Sequence, residues 1–264
     1  MTTEDSAHKR DGRMTLSEHL VELRKRLFRA AAGFILGIVV AWFLTDPVMN
    51  AMREPVTAIT KNQSGRDAML NYDTITGAFD LKFQLAMIIG AFISSPIWLY
   101  QLWSFFVPAL TKKELKYGFG FFFTALPLFL LGGFAGWLLV PHMVALLTSF
   151  APAEDSAIIN AKTYFVFIMK FVLLVGVAFV LPVFLVLLNF VGVLSAQSII
   201  HSWRWAIIAI TLFTAITTPA ADVISMFLLA IPMAALYFCA YGVAWFHDRR
   251  VAKRADAFDA SIAV

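Results

Sequence analysis

Residues 163–189 read TYFVFIMKFVLLVGVAFVLPVFLVLLN, twenty-seven positions with one charge, Lys170. A helix rises 1.5 Å per residue, so about 20 apolar residues cross the ~30 Å hydrocarbon core of a bilayer. This run is long enough to span. Pro182 removes one backbone hydrogen bond and bends the helix, which neighbouring helices tolerate inside a membrane. Composition carries the reading to the whole chain. Of 264 residues, 60% are hydrophobic and 14% charged, against roughly 25% charged in soluble domains. Too few charges exist to coat a water-soluble globule, so much of the apolar surface faces lipid.

Five more runs follow the same pattern: Leu27–Leu44, Phe79–Phe106, Tyr117–Val140, Trp205–Thr218 and Val223–Phe246. Asp46-Pro47 ends the first, and Pro96, Pro127 and Pro232 interrupt three others, so four bent helices are expected. The fifth run reaches only about 21 Å as a helix. It spans by thinning the bilayer or hiding against neighbours, or pairs with the last run as a re-entrant hairpin. The basic, apolar start resembles a signal peptide, but no small-residue cleavage site precedes Asp46-Pro47 and further spans follow. The expected fold class is all-α, a polytopic bundle of six transmembrane helices. Its parts are a disordered 1–14, a membrane domain over 15–246 and a tail over 247–264.

Lys and Arg in short loops set orientation. Seven lie before or at the start of the first span, three lie in 112–116, Arg204 follows the fourth span and four fall in 249–254. The other side holds Arg53, Lys61, Arg66 and Lys162. Fifteen against four puts both termini in the cytoplasm. The outer loop, residues 45–78, is expected to hold short surface helices joined by turns.

The searches for catalysis return little. There is no His-Glu-x-x-His, Gly-rich phosphate loop or Gly-x-Ser-x-Gly, and the five histidines lack ligand spacing. No metal or other cofactor is implied, and Cys239 alone makes no disulfide framework. The chain is not read as an enzyme. A proton relay needs carboxylates across the bilayer, and the spans lack them. Lys82 reads as a snorkelling lysine beside Asp80. Lys170, about two turns into its span, is open between snorkelling, local pairing and a functional polar contact. A secondary transporter of a small solute would need a polar midplane, for which Ser94, Ser95, Gln84, Asn189 and Thr214 are thin material. A purely structural scaffold is a third reading.

Two capping boxes mark the cytoplasmic edge, Thr15–Glu18 and Thr111–Glu114. The first opens an amphipathic helix running into the first span, with Glu22 beside Lys25 and Arg26. An exposed ion pair worth a few tenths of a kcal/mol accounts for Glu22, and capping accounts for Glu114. A functional role stays open for both.

Residues 18–27, EHLVELRKRL, resemble the N-terminal signature of the TatC family, the multi-span subunit of the twin-arginine protein translocase. The resemblance continues through residues 95–110, SPIWLYQLWSFFVPAL, then Glu114, residues 218–222, TPAAD, and residues 228–233, LLAIPM. It implies six true spans in a bacterial cytoplasmic membrane, and export of folded proteins driven by the proton-motive force. It implies a receptor for signal peptides bearing consecutive arginines, with Glu22 and Glu114 recognising them and Arg24 and Phe105 in support. Two separated carboxylates suit a pair of planar guanidinium forks. Partners would be single-span TatA and TatB subunits, bilayer lipid and further copies in a larger complex. Pro55, Pro96 and Asp222 match family positions with structural or assembly roles. Val180 stands where the family commonly has a polar group before the Phe-x-x-Pro proline, and Met226 where a polar residue often follows the aspartate. The docking contact for TatA and TatB then falls to Lys170 or Thr214–Thr218.

Overall fold

The computed structural model describes residues 16–62, 68–106, 115–149, 157–218 and 222–262. The segment 1–14, both capping-box threonines, Glu114 and Pro219–Ala221 lie outside the described residues, as does the side chain of Pro55. The helices in chain order are α1 (Leu16–Asn62), α2 (Gly77–Ile93), α3 (Ser95–Phe106), α4 (Leu115–Ser149), α5 (Ala161–Phe190), α6 (Ala196–His201), α7 (Trp203–Thr217) and α8 (Val223–Ile262). α1, α4, α5 and α8 are long and apolar enough to cross a membrane. α2 and α3 form one span bent by 58°, and α7 is a short apolar helix, which completes the six-helix pattern.

The bend falls between α2 and α3, at Ser94. Pro96 occupies the first turn of α3, where its missing N–H would lack a helical partner anyway. Pro127, Pro182 and Pro232 instead lie inside continuous helices.

α1 departs from expectation. It does not stop at Asp46-Pro47 but continues to Asn62, replacing the expected short surface helices over the first half of the 45–78 loop. Tertiary burial outweighs the proline here. Met49 and Met52 are buried with the core of α2 and α5, and the Tyr164 hydroxyl donates to the Met52 carbonyl at 2.9 Å. Asp46 accepts from Lys82 of α2 at 2.9 Å, while the Lys82 ammonium also lies 5.4 Å from the Trp42 ring centre. Lys82 is therefore paired rather than snorkelling alone. α8 likewise runs through residue 247 without a break, so 247–262 continues the last helix.

Two short strands were not foreseen. β1 (Ala68–Asn71) and β2 (Ala157–Asn160) pair in parallel, register Ala68 to Ala157, in the two long connections at one end of the bundle. Beside them Lys162 pairs with Asp80 at 3.1 Å and Asn160 donates to Asp73.

The core centres on α5, whose Phe165, Phe171 and Val175 pack with Leu81 and Leu85 of α2. A second cluster joins Leu99 and Trp103 of α3 to Phe129 of α4 and Val180 of α5. Lipid tails are as apolar as leucine, so helices associate in a bilayer mainly by close packing between small residues. Gly37 and Gly90 meet in this way where α1 crosses α2. A Cβ on Gly37 would come 2.7 Å from the Gly90 carbonyl oxygen, and one on Gly90 would come 2.9 Å from the Ile38 nitrogen. Gly90→Ala is expected to destabilise the detergent-solubilised protein by about 1–3 kcal/mol through overpacking, read as a lowered thermal unfolding midpoint. Gly242→Ala, where a Cβ meets nothing within 4 Å, should leave the midpoint unchanged or slightly raised.

Candidate functional site

By alternation of the spans, the start of α1, the end of α3 and the α5–α6 junction lie at one end of the bundle. Glu22 and Arg26 are one turn apart on α1. The Arg26 guanidinium donates to Glu22 Oε1 through Nε, at 3.1 Å, and through Nη2. Its remaining nitrogen, Nη1, donates to the Ser104 hydroxyl of α3. The two charged side chains are only 15% and 21% exposed, so the surface ion pair expected here is in fact a partly buried clip between two helices. Lys25 is exposed and takes no part in it.

Both strong bonds from Arg26 converge on one carboxylate oxygen. The other, Glu22 Oε2, is buried with no hydrogen-bond partner among the described residues, as is Gln101 Oε1, one turn before Ser104 on α3. A buried acceptor left unsatisfied costs about 1–3 kcal/mol, more when charged. The corner therefore favours an incoming donor, and a cationic one most.

The structure brings Glu22 and the end of α3 together, with half-buried Phe105 next to Ser104. Arg24 is not in this clip. It is exposed, with its guanidinium 5.7 Å from the Phe28 ring centre on the same helix. Glu114 lies outside the described residues, just before α4 begins at Leu115. Arg26, Ser104 and Gln101 were missed as site residues. The i, i+4 spacing of Glu22 and Arg26 signalled the pair, but nothing in the sequence shows that α3 closes over it.

Asp222 caps α8. Its Oδ1 accepts from the Ser225 N–H at 2.8 Å, and the residue is 1% exposed with Oδ2 unpartnered among the described residues. Val180 is buried, Met226 half-buried and Pro96 exposed. The hydroxyls of Thr214, Thr217 and Thr218 donate to carbonyls of their own helix at 3.0, 2.7 and 2.8 Å. Asn189 donates to the Leu194 carbonyl and to Asp248 at 2.8 and 2.9 Å. Of the polar groups counted toward a transport site, the Thr214 hydroxyl and the Asn189 amide nitrogen are thus taken up internally, whereas the Ser94 and Ser95 hydroxyls are buried with no hydrogen-bond partner among the described residues. Among the described residues no cluster of His, Cys, Asp or Glu could hold a metal ion.

Asp248 also accepts from the Ala196 N–H at 2.7 Å, tying α8 to the end of α5 and the start of α6. Asp248→Ala strands an amide and a backbone N–H. It should cost about 1–3 kcal/mol, measured as a lower unfolding midpoint in detergent.

Residues 18–232 match the family described as Sec-independent protein translocase protein (TatC). A Sec-independent protein translocase protein TatC from Xylanimonas cellulosilytica is 41% identical, over 92% of this chain and 87% of that protein. Another from Rothia mucilaginosa is 37% identical, over 91% and 82%. A crystal structure described as the twin arginine translocase receptor TatC in DDM superposes with a TM-score of 0.72 at 27% identity, covering 86% of this chain and 99% of that one.

Proposed function

The chain belongs to the TatC family and is a subunit of a twin-arginine translocase, not an enzyme, and from that premise we propose that it is the receptor for twin-arginine signal peptides. The observation that carries this reading is the Glu22 carboxylate, held by Arg26 through one oxygen while the other has no partner among the described residues. A guanidinium from a signal peptide would supply the missing donor. Charge-assisted bonds of this kind contribute roughly 1.5–3 kcal/mol each.

Glu114 provides the second carboxylate, so that two separated acids read two consecutive arginines. Arg24 and Phe105 line the approach. The Lys and Arg excess at this end supports a bacterial cytoplasmic membrane location with both termini inside. The segments 1–14 and 247–264 then flank the membrane domain in the cytoplasm. Single-span TatA and TatB subunits pack on the bundle and several copies associate, so that folded cargo moves under the proton-motive force. Pro55, Pro96 and Asp222 shape the turns and bends that this assembly uses. Val180 and Met226 leave the family's polar docking positions apolar. Solute transport finds no favouring observation.

The test is photo-crosslinking in membranes from a reactive residue in place of Phe105, comparing a twin-arginine signal with its twin-lysine variant. Crosslinking to the arginine form alone is expected. Glu22→Gln should reduce it about tenfold or more, as should Glu114→Gln. Equal crosslinking of both signals by a folded protein would overturn the receptor reading.

A further inference from the structure

We propose that the apolar groove between α4 and α8 binds an anionic phospholipid, with an acyl chain in the groove and the phosphate at its basic mouth. The lipid belongs to the leaflet at the Glu22 end of the bundle. The receptor reading above does not require this ligand.

The groove exists because α4 and α8 both pack on α5 but touch each other little. Its volume is about 400 Å³. The lining runs from Gly120 of α4, Phe190 of α5 and Val243 of α8 to Leu128, Pro182 and Leu236, and stops there. That is about 12 Å of helix, most of one leaflet's share, about 15 Å, of the hydrocarbon core. A spanning helix would need contact through both leaflets, whereas an acyl chain needs one. The hydroxyl in the lining, that of Thr124, donates to the Gly120 carbonyl at 2.7 Å. The walls therefore offer little to water and much to hydrocarbon.

The mouth is basic. On α8 the lining positions Leu236, Ala240 and Val243 continue at i+11 and i+14 to His247 and Arg250. The His247 ring lies 4.5 Å from that of Phe190, which joins the mouth to the floor of the groove. Arg250 is exposed, whereas Arg249 lies over the Trp245 ring. On α4, Lys116 precedes Gly120 by one turn. The neighbouring acid, Asp248, is turned to Asn189 and the Ala196 N–H. Basic pockets between membrane helices hold anionic headgroups, and the cytoplasmic leaflet is rich in them. Charge at the mouth and hydrocarbon beyond it match the two parts of such a lipid.

The test places a photoreactive residue at Val243, and separately at Phe238 on the opposite face of α8. The purified chain is set in nanodiscs of phosphatidylcholine with a minority of phosphatidylglycerol, and lipid adducts are identified by mass. Both leaflets carry the same lipids, so the result does not depend on orientation. Val243 adducts should be enriched in phosphatidylglycerol over its share of the bilayer, while Phe238 adducts follow that share. Arg250→Gln and Lys116→Gln should each lower the enrichment about fivefold. A Cβ on Gly120 meets nothing within 4 Å, so Gly120→Phe should plug the mouth and abolish the Val243 lipid adduct. Size-exclusion profiles and unchanged Phe238 adducts check that each variant folds. Val243 adducts that follow the bulk lipid, or an enrichment indifferent to both charge variants, would overturn the site. A Val243 product with an added twin-arginine signal or single-span subunit, in place of lipid, would give the groove to a peptide and also overturn it.

Discussion

In the hydrocarbon core no water can accept from an N–H or donate to a C=O, so each backbone group there must find its partner inside the protein. That constraint explains why the chain stays helical through places where soluble proteins turn. Pro47 sits within α1, and Pro127, Pro182 and Pro232 lie within three other helices. Around Pro47 the helix is held by burial of Met49 and Met52, by Tyr164 and by Lys82. The one full break, at Ser94, comes where Pro96 opens a new helix. The same demand disposes of side-chain hydroxyls. The threonines of α7 return their protons to helix carbonyls, which lets a fifteen-residue helix carry three of them.

With hydrophobic association between helices removed, charged groups collect at the two ends and act as clips. At the end that carries β1 and β2, Asp46 meets Lys82 and Asp80 meets Lys162. At the other end Asn189, Asp248 and the Ala196 amide join α5, α6 and α8, while Glu22, Arg26 and Ser104 join α1 to α3. Exposed pairs contribute little, about 0–1 kcal/mol. The partly withdrawn ones matter more for geometry, because a carboxylate fixed by one oxygen presents the other in a defined direction.

Much of the candidate site was legible only in outline. Glu22 stood out through its neighbours and through the resemblance carried by residues 18–27, and its i+4 partner was visible. Whether that pair lay in water or between helices was not, because the answer depends on α3, which is about eighty residues away in the chain. Gln101 and Ser104 looked like ordinary polar positions in an apolar helix until α1 packed against them. Arg24, close to Glu22 in sequence, points elsewhere and stacks on Phe28.

The sequence by itself determined the membrane class, the number of spans and the positions of their six apolar cores, because hydropathy over twenty residues is a local property summed along one helix. It also carried the charge asymmetry between loops. Tertiary structure alone decided that α1 runs past Asp46-Pro47, since the burial that outweighs proline comes from α2 and α5. It decided that β1 pairs with β2 across nearly ninety residues, and that Lys82 has a partner while Lys170 has none among the described residues. Those outcomes depend on which helix faces meet, and that is fixed by close packing such as Gly37 against Gly90 rather than by any pattern readable in one segment.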